Sequence, residues 1–282
     1  MIALLGTGLL GTGFVRAALG RGEAVTVWNR TASKAEALGR EGAVVAATPA
    51  EAVRGASRVH LVLIDDAAVD AVLEQLLPGL EPGAVILDHS TTAPGPTAER
   101  AKRMAAKGID FLHVPVFMGP AQAASATGMM LAAGSEALFE RVRPELARMT
   151  ERIRYLGERS DLAAAYKLFG NMMIMFVVSG IADVFAMAKT VGIEATDAYT
   201  IFNDFNAAAQ VATRGKRMAE GDFTPSFELT AARKDVRLML ETAAAGGGAL
   251  HVLPAIAARF DAVIAAGHGA DDIASVAAAD VL

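Results

Sequence analysis

The chain has 282 residues, of which 53% are hydrophobic and 20% are charged, and its formal net charge is −5. This length and apolar content predict a folded protein with a buried core and about two domains, and they exclude a disordered chain. The negative charge, without a long run of Lys and Arg, argues against a nucleic-acid partner. The absence of cysteine excludes disulfides, zinc–thiolate sites and cysteine nucleophiles, and it fits a reducing, cytoplasmic compartment.

The first 160 residues alternate short β-like runs with helix-like runs. Strands separated by helices predict βαβ units and therefore an α/β domain with a largely parallel sheet. Within this region, Thr48-Pro49-Ala50-Glu51 predicts a capped helix start, and Pro144 predicts a kink or break in a helix over 135–149. The strands are predicted at 2–6, 24–29, 43–47, 58–64, 84–90, 109–117, 128–134 and 152–157.

The segment Gly6-Thr7-Gly8-Leu9-Leu10-Gly11 fits the pattern G-x-G-x-x-G between the first predicted strand and the first predicted helix. In that context the first glycine makes a tight turn, the second lets the backbone approach a pyrophosphate, and the third lets the helix pack on the strand. The helix N-terminus adds free N–H groups and the positive end of the helix dipole. The pattern predicts a dinucleotide site with cofactor contacts at Gly6, Gly8, Leu9, Leu10 and Gly11.

The end of the second predicted strand, Asn29-Arg30-Thr31, bears on the choice of cofactor. NAD enzymes usually place Asp or Glu about 20 residues beyond the glycines, where the carboxylate binds the ribose 2′-hydroxyl. Here a neutral residue is followed by Arg30, whose guanidinium can hold a 2′-phosphate, and Lys34 adds a second positive charge. We therefore expect NADP, bound in part by Asn29, Arg30, Thr31 and Lys34, although Arg30 could also be a solvated loop charge.

After residue 160 the strand signal stops, and the pattern predicts an all-helical second domain entered by one long helix over 161–191. That helix is long and apolar enough to span a membrane. Lys167, Asn171 and Asp183 interrupt it and no basic cluster flanks it, so we expect burial between domains or subunits and no membrane partner. The N-terminus also lacks the pattern of a signal peptide. Further helices are predicted at 194–214, 228–245, 254–266 and 271–281.

Lys167 stands in this apolar helix, and Asn171 follows it on the same face at i+4. Gly170 is expected to leave open space beside the ammonium. A lysine and an amide that share a cavity beside a nicotinamide fold indicate proton transfer, because burial lowers the pKa of a lysine towards neutrality. The alternative is a lysine that extends along the helix to reach solvent.

The remaining titratable residues give weaker signals. The five histidines lack metal-ligand spacing, so we expect no metal. His60 and His113 are expected to pack within strands, whereas His89 stands at the end of a strand, where a substrate contact is possible. Asp66 is expected to cap a helix.

The motifs together resemble a known family. Asp88-His89-Ser90-Thr91, His113-Val114-Pro115-Val116, Lys167–Asn171 and the segment from Phe223 through Lys234-Asp235 occur in the order and spacing of the β-hydroxyacid dehydrogenases. That family includes 3-hydroxyisobutyrate dehydrogenase and the glyoxylate and succinic semialdehyde reductases, and it is related to 6-phosphogluconate dehydrogenase. The resemblance covers essentially the whole chain. It implies a Rossmann-like NADP-binding domain over 1–160 and a helical domain over 161–282 that forms a homodimer or homotetramer.

The resemblance also implies site roles. It implies hydride transfer between NADP and a small hydroxy acid, or its aldehyde or keto partner, with Lys167 as general acid/base and Asn171 orienting the reacting oxygen. The other cofactor contacts that it implies are Leu63, Ile64, Thr91, Phe227 and Lys234. The substrate contacts that it implies are Ser90, Phe117, Met118 and Gly119.

One motif departs from the family pattern. Members usually continue Pro-Val with Ser-Gly-Gly, which binds a substrate carboxylate, whereas this chain reads Pro115-Val116-Phe117-Met118-Gly119-Pro120. The change predicts a larger, more apolar pocket in which Gly119 still offers one N–H. Reduction of imines or bulkier apolar carbonyls therefore stays open, although the pattern of imine reductases places Asp or Tyr where this chain has Lys167. A protein that binds NADP without turnover is a further alternative.

Overall fold

The structure is a computed structural model that describes residues 1–280. The chain divides into two compact units, the first over residues 1–172 and the second from Met173. The first unit contains a six-stranded, fully parallel sheet in the order β3-β2-β1-β4-β5-β6. Its strands are β1 (Ile2–Leu5), β2 (Val25–Trp28), β3 (Val44–Val45), β4 (Arg58–Leu61), β5 (Val85–Asp88) and β6 (Asp110–His113).

A second, three-stranded sheet follows in the same unit. It comprises β7 (Val116–Phe117), β8 (Met129–Ala132) and β9 (Arg152–Tyr155), with β7 antiparallel and β9 parallel to β8. The predicted strand 109–117 therefore splits into two strands of different sheets. The change of sheet occurs at Val114-Pro115, because Val114 N–H still donates to Asp88 O (2.7 Å) whereas Pro115 O already accepts from Leu131 N–H (2.9 Å).

Helices of the first unit largely start where the sequence places them. Thr48 caps its helix, since its hydroxyl accepts from Glu51 N–H (3.2 Å), and the Glu51 carboxylate accepts from Ala47 N–H (3.1 Å). Pro144 does not break its helix, which ends two residues later, where a proline removes one hydrogen bond only. The helices are α1 (Leu9–Gly20), α2 (Ala32–Gly39), α3 (Pro49–Val53), α4 (Asp66–Leu76), α5 (Pro94–Ala106), α6 (Pro120–Ala124) and α7 (Glu136–Leu146).

The parallel sheet is buried on both faces. In β1, Ile2 and Leu4 belong to one apolar cluster, and Ala3 and Leu5 belong to another on the opposite face. Alternate residues of a strand point to opposite faces, so two layers of helix cover this sheet. The arrangement is a Rossmann-like domain, in which ligands bind at the carboxyl ends of the strands.

Helix α8 (Leu162–Thr190) confirms the long predicted helix to within one residue at each end, and it runs from the first unit into the second. Its length and apolar composition would suffice to cross a membrane, but the core helix of a folded protein can have the same length and composition. Within the single chain a set of its apolar side chains is about half exposed, and burial of this helix against another subunit stays a prediction. These residues are Phe169, Met172, Met173, Ile174, Met175, Phe176, Val177 and Val178.

The rest of the second unit is helical, but two predictions on it are wrong. The predicted helix 194–214 is interrupted, since Asn206 accepts from Ala208 N–H (3.1 Å) and local bonds of this kind compete with a helix. The predicted helix 271–281 contains only a 3₁₀ turn, Ile273–Ala277, and its last residue lies outside the described residues. The elements are α9 (Ala195–Tyr199), α10 (Ile201–Asp204), α11 (Ala209–Glu220), α12 (Leu229–Ala245) and α13 (Leu253–Val263), followed by a π-helical turn, Ile264–His268.

Candidate active site

The β1–α1 loop is shaped by glycines that have different surroundings. Gly6 is left-handed (φ +104°), and a Cβ there would lie 2.1 Å from Val62 O. A Cβ at Gly11 would lie 2.0 Å from Gly6 O, so α1 rests directly on the loop. At Gly8, by contrast, a Cβ would meet nothing within 4 Å. The loop therefore combines two crowded glycines with one that faces open space, and the first N–H groups of α1 fit a pyrophosphate there.

An open cleft of about 480 Å³ lies beside this loop. Leu9 stands at the cleft and is exposed, whereas Leu10 packs against the apolar core. Gly13 brings α1 against α6, since a Cβ there would lie 2.6 Å from Pro120 O. The cleft is therefore walled by the start of α1, by α2 and by α6. Its lining residues are Thr7, Gly8, Leu9, Thr12, Gly13, Arg16, Lys34, Ala37, Pro120, Ala121 and Ala124.

Asn29 braces the glycine loop. Its side-chain oxygen accepts from Thr7 N–H (3.0 Å) and its amide nitrogen donates to Thr31 O (2.9 Å). Both ends of the amide are thus occupied by backbone groups. The side chain ties the carboxyl end of β2 to the loop after β1, and so it fixes the cleft from one side.

The cations beside Asn29 differ in their partners. Arg16 forms two hydrogen bonds with Glu41, at 2.7 and 2.8 Å. Arg30 and Lys34 are exposed, and within residues 1–280 neither forms an ion pair. Lys34 lines the cleft and Arg30 precedes α2, and these two uncompensated positive charges fit a 2′-phosphate, because a guanidinium can bind phosphate oxygens in a bidentate manner.

The carboxyl ends of β4 and β5 are tied together by Ser90. Its hydroxyl accepts from Leu63 N–H (3.0 Å), and its own N–H donates to Asp88 Oδ1 (2.9 Å). Ser90 is buried, Thr91 is half-buried, and the side chain of Ile64 is exposed. In this structure Ser90 therefore holds the adjacent loop, and its predicted contact with substrate stays a prediction.

A buried acid–histidine pair lies beneath this point and was not predicted. Nδ1 of His113 lies 3.4 Å from Oδ2 of Asp88, and both side chains are fully buried. Burial opposes ionisation of Asp88, but the interaction with His113 and the bonds from Ser90 outweigh it, so the pKa of this carboxyl is lowered. The sequence signal for the role of Asp88 is its position at a strand end, two residues before Ser90. This spacing is typical of a turn in which an Asp side chain accepts from the backbone.

His89 is not available to a substrate, which corrects the expectation from its place at a strand end. Its Nδ1 lies 2.9 Å from Val114 O, which can only accept, so Nε2 accepts from His60 Nδ1 (2.9 Å). The two rings are nearly parallel (6°), and their centroids are 5.3 Å apart. Burial lowers the pKa of His89 to about 4 and that of His60 well below its ordinary value. The expectation that His60 and His113 pack within strands is confirmed.

The expectation for Asp66 is wrong by one residue. Asp65 is the cap of α4, because its carboxylate accepts from Ala68 N–H (2.8 Å). Asp66 instead accepts from Ala93 N–H (2.9 Å) and pairs with the fully buried Arg100 (2.9 Å). Across residues 1–280, no three His, Asp or Glu side chains come together in a way that would hold a metal ion.

Lys167 is buried at the start of α8, with 9% of the residue exposed, which excludes a side chain that extends into solvent. Its Nζ lies 4.1 Å from the centroid of the Phe117 ring. The expected open space at Gly170 does not exist, since a Cβ there would lie 2.2 Å from Phe117 Cζ. Burial lowers the pKa of the Lys167 ammonium. Asn171, one turn further along the helix, is half-buried.

Two of the three residues after Phe117 have no free backbone N–H. Gly119 N–H donates to Gln122 Oε1 (2.8 Å), and Pro120 has no N–H. The expectation that Gly119 still offers an N–H is therefore wrong. A Cβ at Gly128 (φ +94°) would lie 2.9 Å from Met118 Cβ, which keeps this stretch close to the start of β8. The N–H groups of positions 119 and 120 therefore cannot contribute to an anion clamp in this structure.

In the second unit, Asp272 fixes the segment that contains Phe227. Its buried carboxylate accepts from the N–H groups of Ser226 (2.9 Å) and Phe227 (3.0 Å), and Arg214 pairs with it (3.2 Å). Burial opposes its ionisation, but these bonds lower the pKa of Asp272. The Phe227 ring is left exposed, and Lys234 pairs with Asp235 (2.7 Å). Asp272 was not predicted, and an acid followed by an apolar helical run is its only sequence signal.

Two family models match nearly the whole chain. The NAD-binding domain of 6-phosphogluconate dehydrogenase matches residues 1–157, and the NAD-binding domain of NADP-dependent 3-hydroxyisobutyrate dehydrogenase matches residues 162–279. The chain belongs to the β-hydroxyacid dehydrogenase family. The match confirms the resemblance noted in the sequence.

Curated relatives agree with this assignment. The chain is 30% identical over 279 residues to an uncharacterized oxidoreductase, YfjR, of Bacillus subtilis, with 98% of each chain covered. It is 30% identical over 244 residues to glyoxylate/succinic semialdehyde reductase 1 of Arabidopsis thaliana, covering 85% of this chain and 84% of that protein. The cytokine-like nuclear factor N-PAC of Xenopus tropicalis is 34% identical over 263 residues, covering 91% of this chain. The chain spans about half the length of N-PAC, at 48%.

Solved structures share the architecture. An imine reductase from Streptomyces aurantiacus has a TM-score of 0.89 and 28% identity, with 98% of this chain and 97% of that chain covered. An imine reductase from Myxococcus stipitatus in complex with NADP+ has a TM-score of 0.90 at 24% identity, with 98% of each chain covered, and this likeness shows the fold alone. The chain thus carries both NAD-binding regions by which the two family models are described.

Proposed function

We propose that the protein is an NADP-linked reductase or dehydrogenase in which Lys167 is the general acid/base. The observation that supports this is a buried ammonium without an acidic partner among residues 1–280, whose pKa burial lowers. When bound, the nicotinamide supplies or accepts the hydride. In the reducing direction Lys167 Nζ gives a proton to the oxygen of a carbonyl group whose carbon takes the hydride, and in the oxidising direction the neutral amine takes that proton back. Asn171 would orient the reacting oxygen.

The proposed cofactor is NADP, held by the glycine loop and by Arg30 and Lys34. Lys34 lines the cleft and Arg30 follows β2 directly after Asn29, and neither has a carboxylate partner among the described residues, which favours a 2′-phosphate. Leu63, Ile64 and Thr91, at the ends of the next strands, would contact the ribose and nicotinamide side. Phe227 and Lys234 would contact the cofactor from the helical domain.

Two substrate classes are candidates. The first is a small hydroxy acid or its aldehyde or keto partner, which the named activity of the Arabidopsis relative supports. The second is an imine or a bulkier apolar carbonyl. It is favoured by the Phe117 ring, by Met118 and by the occupied N–H of Gly119, because these groups make this wall of the site more apolar and remove one donor for a substrate carboxylate. A protein that only binds NADP would have no use for a buried lysine in this position.

We also propose a homodimer or homotetramer that forms through α8 and the helical domain, in a reducing compartment such as the cytoplasm. The half-exposed apolar side chains from Phe169 to Val178 support it, since an apolar surface of this extent is unfavourable in water. Light scattering coupled to size-exclusion chromatography measures the oligomer directly. A monomer at micromolar concentration would contradict the proposal.

A substrate panel tests the proposed reaction. NADPH oxidation is followed with glyoxylate, succinic semialdehyde, aromatic ketones and cyclic imines, and NADP reduction with 3-hydroxyisobutyrate and serine. Turnover of any of these excludes the purely binding protein. A higher kcat/KM for small acids than for apolar carbonyls and imines would select the first class, and the reverse would select the second.

A further inference from the structure

The space beside the lysine is filled by an aromatic ring from another element. Phe117 is the last residue of β7, whereas Lys167 and Gly170 lie on α8. A Cβ at Gly170 would lie 2.2 Å from Cζ and 2.5 Å from Cε1 of the ring. Any side chain at position 170 would therefore displace the ring, so Gly170 and Phe117 are sterically coupled.

The ring is also the group that faces the ammonium. Nζ of Lys167 lies 4.1 Å from the ring centroid, and the residue is buried. No Asp or Glu of residues 1–280 pairs with Nζ, and burial is the sole cause of its lowered pKa. From β9, the guanidinium of Arg154 lies over the ring of Tyr166, 5.4 Å from its centroid, rather than over Phe117.

We propose that Phe117 is a positioning residue for Lys167: its ring, admitted by Gly170, holds the ammonium by a cation–π contact in place of a carboxylate. A desolvated ammonium over an aromatic face is bound more strongly than an exposed one, because water does not compete. The proposal rests on the proposed function of Lys167 as the acid/base. It gives Phe117 a task in the chemistry, apart from the shape of the substrate pocket.

The two effects on the lysine have opposite signs. Burial favours the neutral amine, and the ring favours the ammonium, because only the charged form interacts with the negative face of the ring. Burial alone therefore lowers the pKa of the lysine further than burial together with the ring does. The ring thus limits this decrease without a permanent ion pair.

The test is the pKa of Lys167 in two Phe117 variants. Lysines of the full-length protein are ¹³C-methylated reductively, and the signal of Lys167 among the seven lysines is identified by its loss in Lys167→Arg. Phe117→Leu keeps the site apolar but removes the ring, so the pKa of Lys167 should fall by about 0.4–1.5 units. Phe117→Ser admits water, so the pKa should rise instead.

Two further variants keep the test sharp. Gly170→Ala displaces the ring without altering Phe117, and it should lower the pKa of Lys167 as Phe117→Leu does. Phe169→Leu removes an exposed aromatic ring next to Gly170 and should leave the pKa unchanged. An unchanged or raised pKa in Phe117→Leu, or the same fall in Phe169→Leu, would overturn the proposal. A loss of folding in Phe117→Leu leaves Gly170→Ala to decide.

Kinetics separate this proposal from the proposed function. The pH midpoint of kcat/KM for carbonyl or imine reduction should move with the pKa of Lys167 in each variant. If Lys167→Ala keeps full turnover, Lys167 is not the acid/base and the proposed function fails. The NMR shifts in the Phe117 and Gly170 variants would still decide whether the ring holds the ammonium.

Discussion

The β1–α1 loop and the start of α8 both accommodate a charged group, but they do so by different means. The loop offers backbone N–H groups around the open space at Gly8, and its shape is set by contacts between Gly6, Gly11 and their neighbours. The start of α8 uses burial and the ring of Phe117, which comes from a distant part of the chain. A site built from local backbone can be predicted from a short motif, whereas a site built from distant side chains cannot.

The largest expected effect separates the two regions by function. Lys167→Ala should lower kcat by about 10²- to 10⁴-fold, the usual contribution of a general acid or base. Binding of NADPH, measured by quenching of the single tryptophan, Trp28, should not change, because the glycine loop is untouched. Lys189→Ala, an exposed lysine of the same helix, is the control and should keep full activity. Loss of NADPH binding in Lys167→Ala would show that the β1–α1 loop and the start of α8 do not have separate functions.

The second prediction concerns His89, whose ring packs on Phe14 of α1 and bonds to Val114 before β7. Burial lowers the pKa of His89 to about 4, so the unfolded state binds protons more readily below the ordinary value of 6.5. Stability is therefore full above pH 6.5 and is lost as pH falls towards 4, by about 3 kcal/mol from this group.

Urea unfolding at pH 7.5 and pH 4.5 measures this loss. His89→Gln should make the decrease in unfolding free energy smaller than in the native protein. His268→Gln is the control of opposite sign, because hydrogen bonds to Asp280 and Asp271 raise the pKa of His268. Its stabilisation is present at low pH, so its removal should make the decrease larger. Equal pH dependence in all three proteins would contradict the assignment.

A third prediction tests whether Arg30, beside the loop, binds the 2′-phosphate of the cofactor. Arg30→Asp should weaken NADPH binding by about 10- to 150-fold, because a charge-assisted hydrogen bond contributes about 1.5–3 kcal/mol. The same change should improve binding of NADH, since a carboxylate can accept from the ribose 2′-hydroxyl. Dissociation constants for both cofactors measure the change. Arg40→Asp, an exposed charge at the C-terminal end of α2, opposite the end next to Arg30, should leave the preference as it is.

The fourth prediction compares two glycines of the same loop. Gly11→Ala should lower the free energy of unfolding by about 1–3 kcal/mol, because its Cβ would overlap Gly6 O. Gly8→Ala should leave stability nearly unchanged and weaken cofactor binding instead, because its Cβ enters open space. Thermal unfolding and cofactor titration separate the two results. Equal destabilisation by both changes would show that the space at Gly8 is not open.

Much of the fold follows from local pattern. Each predicted strand of the first 160 residues contains an observed strand, and α8 begins and ends within one residue of its prediction. These features depend on apolar periodicity and on glycine, which act over a few residues. The prediction of one helix over 194–214 is wrong because the Asn206 side chain accepts from a nearby backbone N–H and interrupts the helix. Apolar periodicity carries no information about such a hydrogen bond.

The site was predicted less evenly. The glycines and the buried lysine were found, because each stands out within its own segment. The ring over Gly170, the bond from Gly119 to Gln122 and the buried pair of His60 and His89 were not. The geometry of each contact depends on how the elements pack or on which rotamer a side chain adopts. The residue types alone determine neither the packing nor the rotamer.

The overlap between position 170 and the Phe117 ring constrains how this sequence can change over evolution. A mutation that adds a Cβ at Gly170 meets the ring at 2.2 Å, so it is harmful while Phe117 is present. The same mutation becomes acceptable once position 117 carries a small residue. Substitutions at these two positions are therefore epistatic, and the viable order is Phe117 first and Gly170 second. Libraries that vary one of the two positions alone will underestimate which residues the site can accept.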